Sequence, residues 1–270
     1  MAIRGTARRA PGPAHRPQFQ PWELCLRFMS PCIGQASREM GGLVPPAHLD
    51  KRAELCRIID HTLLKATATT SDVDRLCDEA VKYNFWSVCV NPNHVKQAAW
   101  RLRGTGTKVC AVISFPLGSC TTAVKLMEAR TAIADGAAEI DMVSNISALK
   151  SGNTPAYFED INELAAYCGR SETLLKVILE CCYLTDEEKV LGARIAEQAG
   201  ANFVKTSTGF GTGGATVADV ALLRKAVTRK TGVKAAGGIG TLASVLDMVK
   251  AGADRIGTSS GAKIIEELPY

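Results

Sequence analysis

From about residue 50 onward the chain alternates short apolar runs with helix-period segments, and that alternation leaves few architectures open. The runs lie at 57–60, 85–90, 109–114, 139–143, 174–180, 203–206, 233–236 and 255–257, which predicts eight strands. Between them, Ser71-Asp72 opens a helix over 73–83, Thr121-Thr122 one over 123–135, and Thr185-Asp186-Glu187-Glu188 one over 189–199. Gly136, Gly200 and Gly252 stand just before the next strand, in the position of a left-handed C-cap. Alternating parallel strands and helices build either an open doubly wound sheet or a closed barrel. Eight units within about 220 residues favour one α/β domain, a (β/α)8 TIM barrel over residues 46–270.

Residues 1–45 break this texture. They are rich in Pro, Arg and Gly and carry no helix or strand period, so they read as a disordered basic extension outside the domain. Their arginines suggest an organelle transit peptide, but Pro11, Pro13, Pro17 and Pro21 would interrupt the amphipathic helix that such a peptide uses. The preferred reading is an extension without structural role, with Met40 as an alternative first residue. Six arginines against two glutamates in this segment account for most of the net charge of +5, which leaves the body nearly neutral. A nearly neutral body argues against a nucleic-acid-binding surface.

No apolar run approaches the ~20 residues needed to span a bilayer, and no secretory signal is present. The ten cysteines form no CxxC pair and no zinc-ligand spacing. Cys89, Cys110 and Cys181 fall within apolar runs, where a free thiol acts as a small hydrophobe. A soluble protein of the reducing cytoplasm, holding no metal and touching no membrane, is expected.

In a barrel of this kind the chemistry lies at the C-terminal ends of the strands. The polar residues of the predicted strands cluster there: Asp60, Asp141, Glu180, Lys205, Lys234 and, past the last strand, Ser259-Ser260. Strand parity puts Glu139 with Asp141 on one face, and Lys176 with Ile178 and Glu180 on one face, so carboxylates and lysines project inward together. An ammonium in an apolar strand is costly unless it is paired or loses its proton. If Lys205 and Lys234 stand on neighbouring strands, one can be kept partly neutral by the other and attack a carbonyl as an amine. Asp141 has two readings, an ion pair with Lys176 on the adjacent strand or a proton relay; three converging lysines favour the relay.

Gly209-Phe210-Gly211-Thr212-Gly213-Gly214 is a literal GxGxxG, yet the next strand carries Lys234 where a dinucleotide site wants an acid. The glycines serve better as a phosphate cradle, together with Gly237-Gly238 and Gly257-Thr258-Ser259-Ser260-Gly261. Ordinary turn glycines are the plain alternative. His61 and His94 read as structural hydrogen-bonders. Cys89 reads first as a core thiol and second as a pocket residue. The sequon Asn145-Ile146-Ser147 has no meaning in a cytoplasmic protein.

The segments Ile59-Asp60-His61-Thr62-Leu63-Leu64-Lys65, Glu139-Ile140-Asp141-Met142-Val143, Val204-Lys205-Thr206-Ser207-Thr208-Gly209-Phe210, Lys234-Ala235-Ala236-Gly237-Gly238 and Gly257-Thr258-Ser259-Ser260-Gly261 resemble those of deoxyribose-phosphate aldolases. The likeness runs in order from about residue 50 to 265. It implies a class I aldolase that reversibly cleaves 2-deoxy-D-ribose 5-phosphate to acetaldehyde and D-glyceraldehyde 3-phosphate without metal or cofactor. By the same resemblance Lys205 matches the Schiff-base lysine, Lys234 the neighbouring lysine that activates it, and Asp141 the proton-shuttling aspartate. Asp60, Thr62, Cys89 and Lys176 match pocket residues, and the phosphate lies against Gly209, Gly237, Gly238, Ser259 and Ser260. Phe210 and Gly240 depart from positions that are often basic in the family, and Tyr270 ends the chain too soon to reach the site. A homodimer is implied by analogy alone. The rival readings are another Schiff-base aldolase or transaldolase, and a catalytically idle sugar-phosphate binder.

Overall fold

Eight parallel strands close in chain order, β1 pairing with both β2 and β8, so the open-sheet alternative is excluded. The computed structural model describes residues 52–268; the extension read for residues 1–45, Met40 and Tyr270 lie outside the described residues. The strands are β1 Ile59–Leu63, β2 Ser87–Val90, β3 Lys108–Ile113, β4 Glu139–Val143, β5 Leu174–Ile178, β6 Phe203–Lys205, β7 Gly232–Ala236 and β8 Arg255–Thr258. Around them run α2 Thr70–Tyr83, α3 Val95–Arg101, α4 Thr122–Ala134, α6 Thr154–Arg170, α7 Asp186–Gln198, α8 Val217–Ala226, α9 Leu242–Lys250 and α10 Gly261–Glu266. Short helices α1 Arg52–Cys56 and α5 Ile146–Lys150 are additional. This is a TIM barrel. No described helix is long and apolar enough to cross a membrane.

Local chemistry explains where the elements begin and end. Thr69 and Asp72 form a capping box at α2, and Thr185 with Glu188 forms another at α7. Gly136, Gly200 and Gly252 take positive φ after α4, α7 and α9, as the sequence predicts. Asn145, the sequon residue, caps α5 by accepting the Ala148 N–H.

Several boundaries lie one to three residues from expectation, and local hydrogen bonding and backbone geometry explain where some of them fall. β1 begins at Ile59 because residues 57 and 58 still belong to the turn of α1, their N–H groups bonding Ala53 and Leu55 carbonyls. β5 stops at Ile178 because Glu180 takes a left-handed conformation, φ 58°. α8 ends at Ala226 because Val227 is extended and the Arg224 guanidinium takes up the carbonyls of Val227, Thr228 and Thr231.

Alternate strand residues serve two cores. Ile140, Met142 and Val177 face outward into the layer shared with Tyr157, Ile161 and Leu164 of α6. Inside the barrel the apolar packing is small: Leu64, Cys89, Cys110 and Val112, with Phe115 against them. Beside it lies an ionic layer, and that layer positions the site.

Candidate active site

Four cations and three carboxylates occupy the barrel interior. Lys176 Nζ lies 2.6 Å from Glu139 Oε2 and 2.7 Å from Asp141 Oδ1. Lys234 Nζ lies 2.5 Å from Asp60 Oδ2 and 2.8 Å from Asp141 Oδ2. Arg255 reaches Asp60 Oδ1 at 2.9 Å and Glu139 Oε2 at 3.3 Å. Lys205 has one carboxylate partner where the others have two: it donates to Asp141 Oδ2 at 2.9 Å. The nitrogens of Lys205 and Lys234 therefore share one oxygen.

Register makes this layer possible. Lys205 stands opposite Lys234, Lys234 opposite Arg255, and Asp141 opposite Lys176. Burial pushes the Asp141 carboxyl up, but Lys176, Lys205 and Lys234 outweigh it and hold the group well below the usual carboxylate range. Asp60 behaves alike, with Lys234 and Arg255 as its main partners. Burial disfavours the Lys234 ammonium, yet Asp141 and Asp60 overcome this and hold it protonated. Of the two outcomes open to a buried strand lysine, pairing or loss of its proton, Lys234 takes the first, because two carboxylates accompany it.

The layer also corrects the expectation that these polar groups gather at strand ends. Asp60 is the second residue of β1, and Asp141 and Lys234 are the third residues of β4 and β7, so these three sit within the strands, while Lys205 does end β6; Glu139 and Arg255, which complete the layer, open β4 and β8. Glu180 does not project inward. Its carboxylate accepts the Thr208 N–H at 3.2 Å and the Thr208 hydroxyl, tying down the loop after β6.

Above the layer, at the C-terminal ends of the strands, opens a cavity of about 410 Å³. Lys205, the last residue of β6, forms part of its wall, with Thr62 on one side and Gly209 on another. Gly237 and Gly238 after β7, and Ser259 and Ser260 after β8, complete it. Asp141, Lys234, Asp60 and Lys176 are fully buried and do not line it. Cys89 is likewise buried, in the inner apolar group.

The loops after β6 and β7 are in backbone contact. Ala215 N–H donates to Gly237 O at 3.0 Å, and a Cβ on Gly214 would lie 2.3 Å from that same oxygen. Phe210 is 55% exposed and packs edge-on against Phe115, with ring centroids 5.3 Å apart. Gly240 also lines the cavity, so neither position supplies a cation. His61 faces outward to Glu79 at 2.7 Å, and His94 stands just before α3 with its Nε2 3.3 Å from Asn93 Nδ2 and no capping bond from its side chain.

Cys89 Sγ, Cys110 Sγ and an Asp141 oxygen lie within 4.8 Å of one another. Lys176 and Lys234 already neutralise that carboxylate, and Lys205 takes a further place on it, which opposes a metal cation there. Burial pushes the Cys110 thiol up, and it donates to Asp141 Oδ1 at 3.1 Å.

Sequence reasoning overlooked Arg255 and Lys65. Arg255 carried the same signal as the lysines, a charge inside a strand pattern; Lys65 lines the cavity from the segment after β1. Its place in the first quoted motif was the only sign.

A barrel with a lysine at its mouth, braced from below by a second lysine through a shared aspartate, is an arrangement suited to carbonyl chemistry. The pattern of the DeoC/LacD family aldolases matches residues 55–267, and the chain belongs to that family of carbon–carbon lyases. It is 54% identical over 217 residues to the deoxyribose-phosphate aldolase of Carboxydothermus hydrogenoformans, covering 80% of this chain and 95% of that one. It is 54% identical over 223 residues to the enzyme of the same name from Thermococcus kodakarensis, covering 82% and 99%. The tetrameric deoxyribose phosphate aldolase of Aeropyrum pernix superposes with a TM-score of 0.77 at 36% identity, covering 81% of this chain and 92% of that one.

Proposed function

We propose that the chain cleaves 2-deoxy-D-ribose 5-phosphate reversibly to acetaldehyde and D-glyceraldehyde 3-phosphate through a Schiff base on Lys205. The observation that carries this reading is a cavity lysine sharing one carboxylate oxygen with a second, fully buried lysine. The names of the relatives at 54% identity supply the substrate.

The Lys205 amine adds to the C1 aldehyde of the open-chain sugar, and loss of water leaves an iminium that draws electrons. The C3 hydroxyl gives up its proton, the C2–C3 bond breaks, and its electron pair enters an enamine. C3 departs as the aldehyde carbon of glyceraldehyde 3-phosphate. Protonation at C2 and hydrolysis then release acetaldehyde and the free amine. Asp141 fixes the reacting nitrogen and keeps the Lys234 cation one carboxylate oxygen away from it. With Lys234 and solvent water it forms the proton-transfer group.

Asp60 and Lys176 act from beneath, by holding Lys234 and Asp141. Backbone N–H groups of the glycine segments and of Ser259-Ser260 receive the phosphate, whose binding orients the reacting carbons. No metal is required by this scheme. We place the activity in deoxyribose-phosphate breakdown in the cytoplasm, a compartment that suits the free thiols among the described residues.

Borohydride reduction followed by peptide mass spectrometry tests the scheme. A substrate-dependent ethyl adduct on Lys205, absent from Lys205→Ala, is expected. An unmodified Lys205 in folded, ligand-binding protein would overturn it in favour of a non-catalytic sugar-phosphate binder. Acetaldehyde release separates this substrate from those of other Schiff-base aldolases.

A further inference from the structure

The cavity wall carries two lysines and no carboxylate. One is Lys205, committed to the reacting carbon. The other is Lys65, two residues past the end of β1. Its backbone is anchored: the Lys65 carbonyl accepts the Ala68 N–H at 3.0 Å, and the Leu64 carbonyl accepts Asn91 Nδ2 at 3.2 Å. Leu64 itself is buried in the inner apolar group. Since β1 pairs with β8, the segment carrying Lys65 leaves the barrel beside the one carrying Ser259 and Ser260.

An exposed lysine is ordinarily just solvated. This one differs in two respects. No ion pair joins its ammonium to any described residue, and no acid on the cavity wall can neutralise it. Phe210 and Gly240, on the same wall, contribute no charge. A phosphate monoester brings a charge of about −1.5 to −2 at neutral pH. Once Lys205 is bonded to the sugar, Lys65 is the one free cation on the wall to meet it, on a four-carbon stem long enough to follow it.

We propose that Lys65 is the residue that selects phosphorylated over unphosphorylated sugars, by pairing with the phosphate at the cavity rim. This rests on the sugar-phosphate reading above. The wild type, Lys65→Gln and Lys65→Arg are compared on 2-deoxyribose 5-phosphate and on 2-deoxyribose. Lys65→Gln is expected to raise KM for the phosphate ester about tenfold. Its kcat should stay within about twofold, because the interaction is made equally in ground and transition states. Activity on unphosphorylated 2-deoxyribose should be unchanged, and Lys65→Arg should restore most of the lost affinity. Added salt should raise the wild-type KM more than that of Lys65→Gln.

An unchanged KM, or an equal loss on both sugars, would overturn the proposal. If the wild type cleaves neither sugar, the substrate reading falls and calorimetry with inorganic phosphate decides the lysine's role. Weaker phosphate binding by Lys65→Gln than by wild type then supports it, and equal affinity refutes it.

Discussion

Replacing Lys176 with methionine removes an ammonium from the centre of the ionic layer while keeping most of the stem's bulk. Glu139 and Asp141 each lose their nearest cation, at 2.6 and 2.7 Å. Neither is left bare: Glu139 keeps the Trp86 indole N–H at 2.6 Å and Arg255 at 3.3 Å, and Asp141 keeps Lys205 and Lys234. Removing one partner of a buried ion pair costs ~3–5 kcal/mol, and the surviving partners put this case near the lower end, about 3 kcal/mol. For a chain of this size each kcal/mol moves the melting temperature by ~2–4 °C, so a fall of about 6–12 °C is expected. Lys176 does not reach the cavity, so substrate-dependent borohydride trapping on Lys205 should persist at 25 °C. Calorimetric melting and trapping are measured on the same preparation. A melting temperature within about 2 °C of wild type would refute the electrostatic reasoning. Loss of trapping in folded protein would show that Lys176 takes part in the chemistry itself.

Acid stability tests the same layer by another route. Asp60 and Asp141 are depressed in the folded state, so their contribution is complete above the unfolded carboxyl value of about 3.9 and is lost as pH falls through the folded values. Lys176 and Lys234 are raised, so theirs is complete below the unfolded value of about 10.4 and is lost only above it. These four groups should therefore leave the melting temperature level from about pH 5 to 10 and lower it steeply below about pH 4; a decline between 7 and 5 in a pH series of melts would contradict the assignment. Gly214→Ala should force apart the loops after β6 and β7, since the new Cβ would lie 2.3 Å from Gly237 O. The expected cost is about 1–3 kcal/mol, with KM for the sugar phosphate rising more than kcat falls. Gly106→Ala, with nothing within 4 Å of its Cβ, is the control, and an unchanged KM in Gly214→Ala would refute the contact.

The sequence by itself determined whatever is encoded within a few residues. The alternation of apolar runs and helix-period segments specified eight strand–helix units, and the Thr185–Glu188 box and the glycines after the helices marked boundaries that the structure reproduces. Strand parity put Glu139, Asp141 and Lys176 on inward faces, because side chains alternate with period two whatever the partner strand. Those signals lapse where the chain leaves regular geometry: Glu180 was read inward by parity, but a left-handed backbone turned it onto Thr208. Partnership was decided by tertiary structure alone. Asp60 meets Lys234 across 174 residues and Arg255 across 195, contacts that exist because the sheet closes β1 against β8. Closure converts a lysine that looks costly in its own strand into a stable cation between two acids. It also leaves Lys205, with a single carboxylate partner, as the member of that layer facing the cavity.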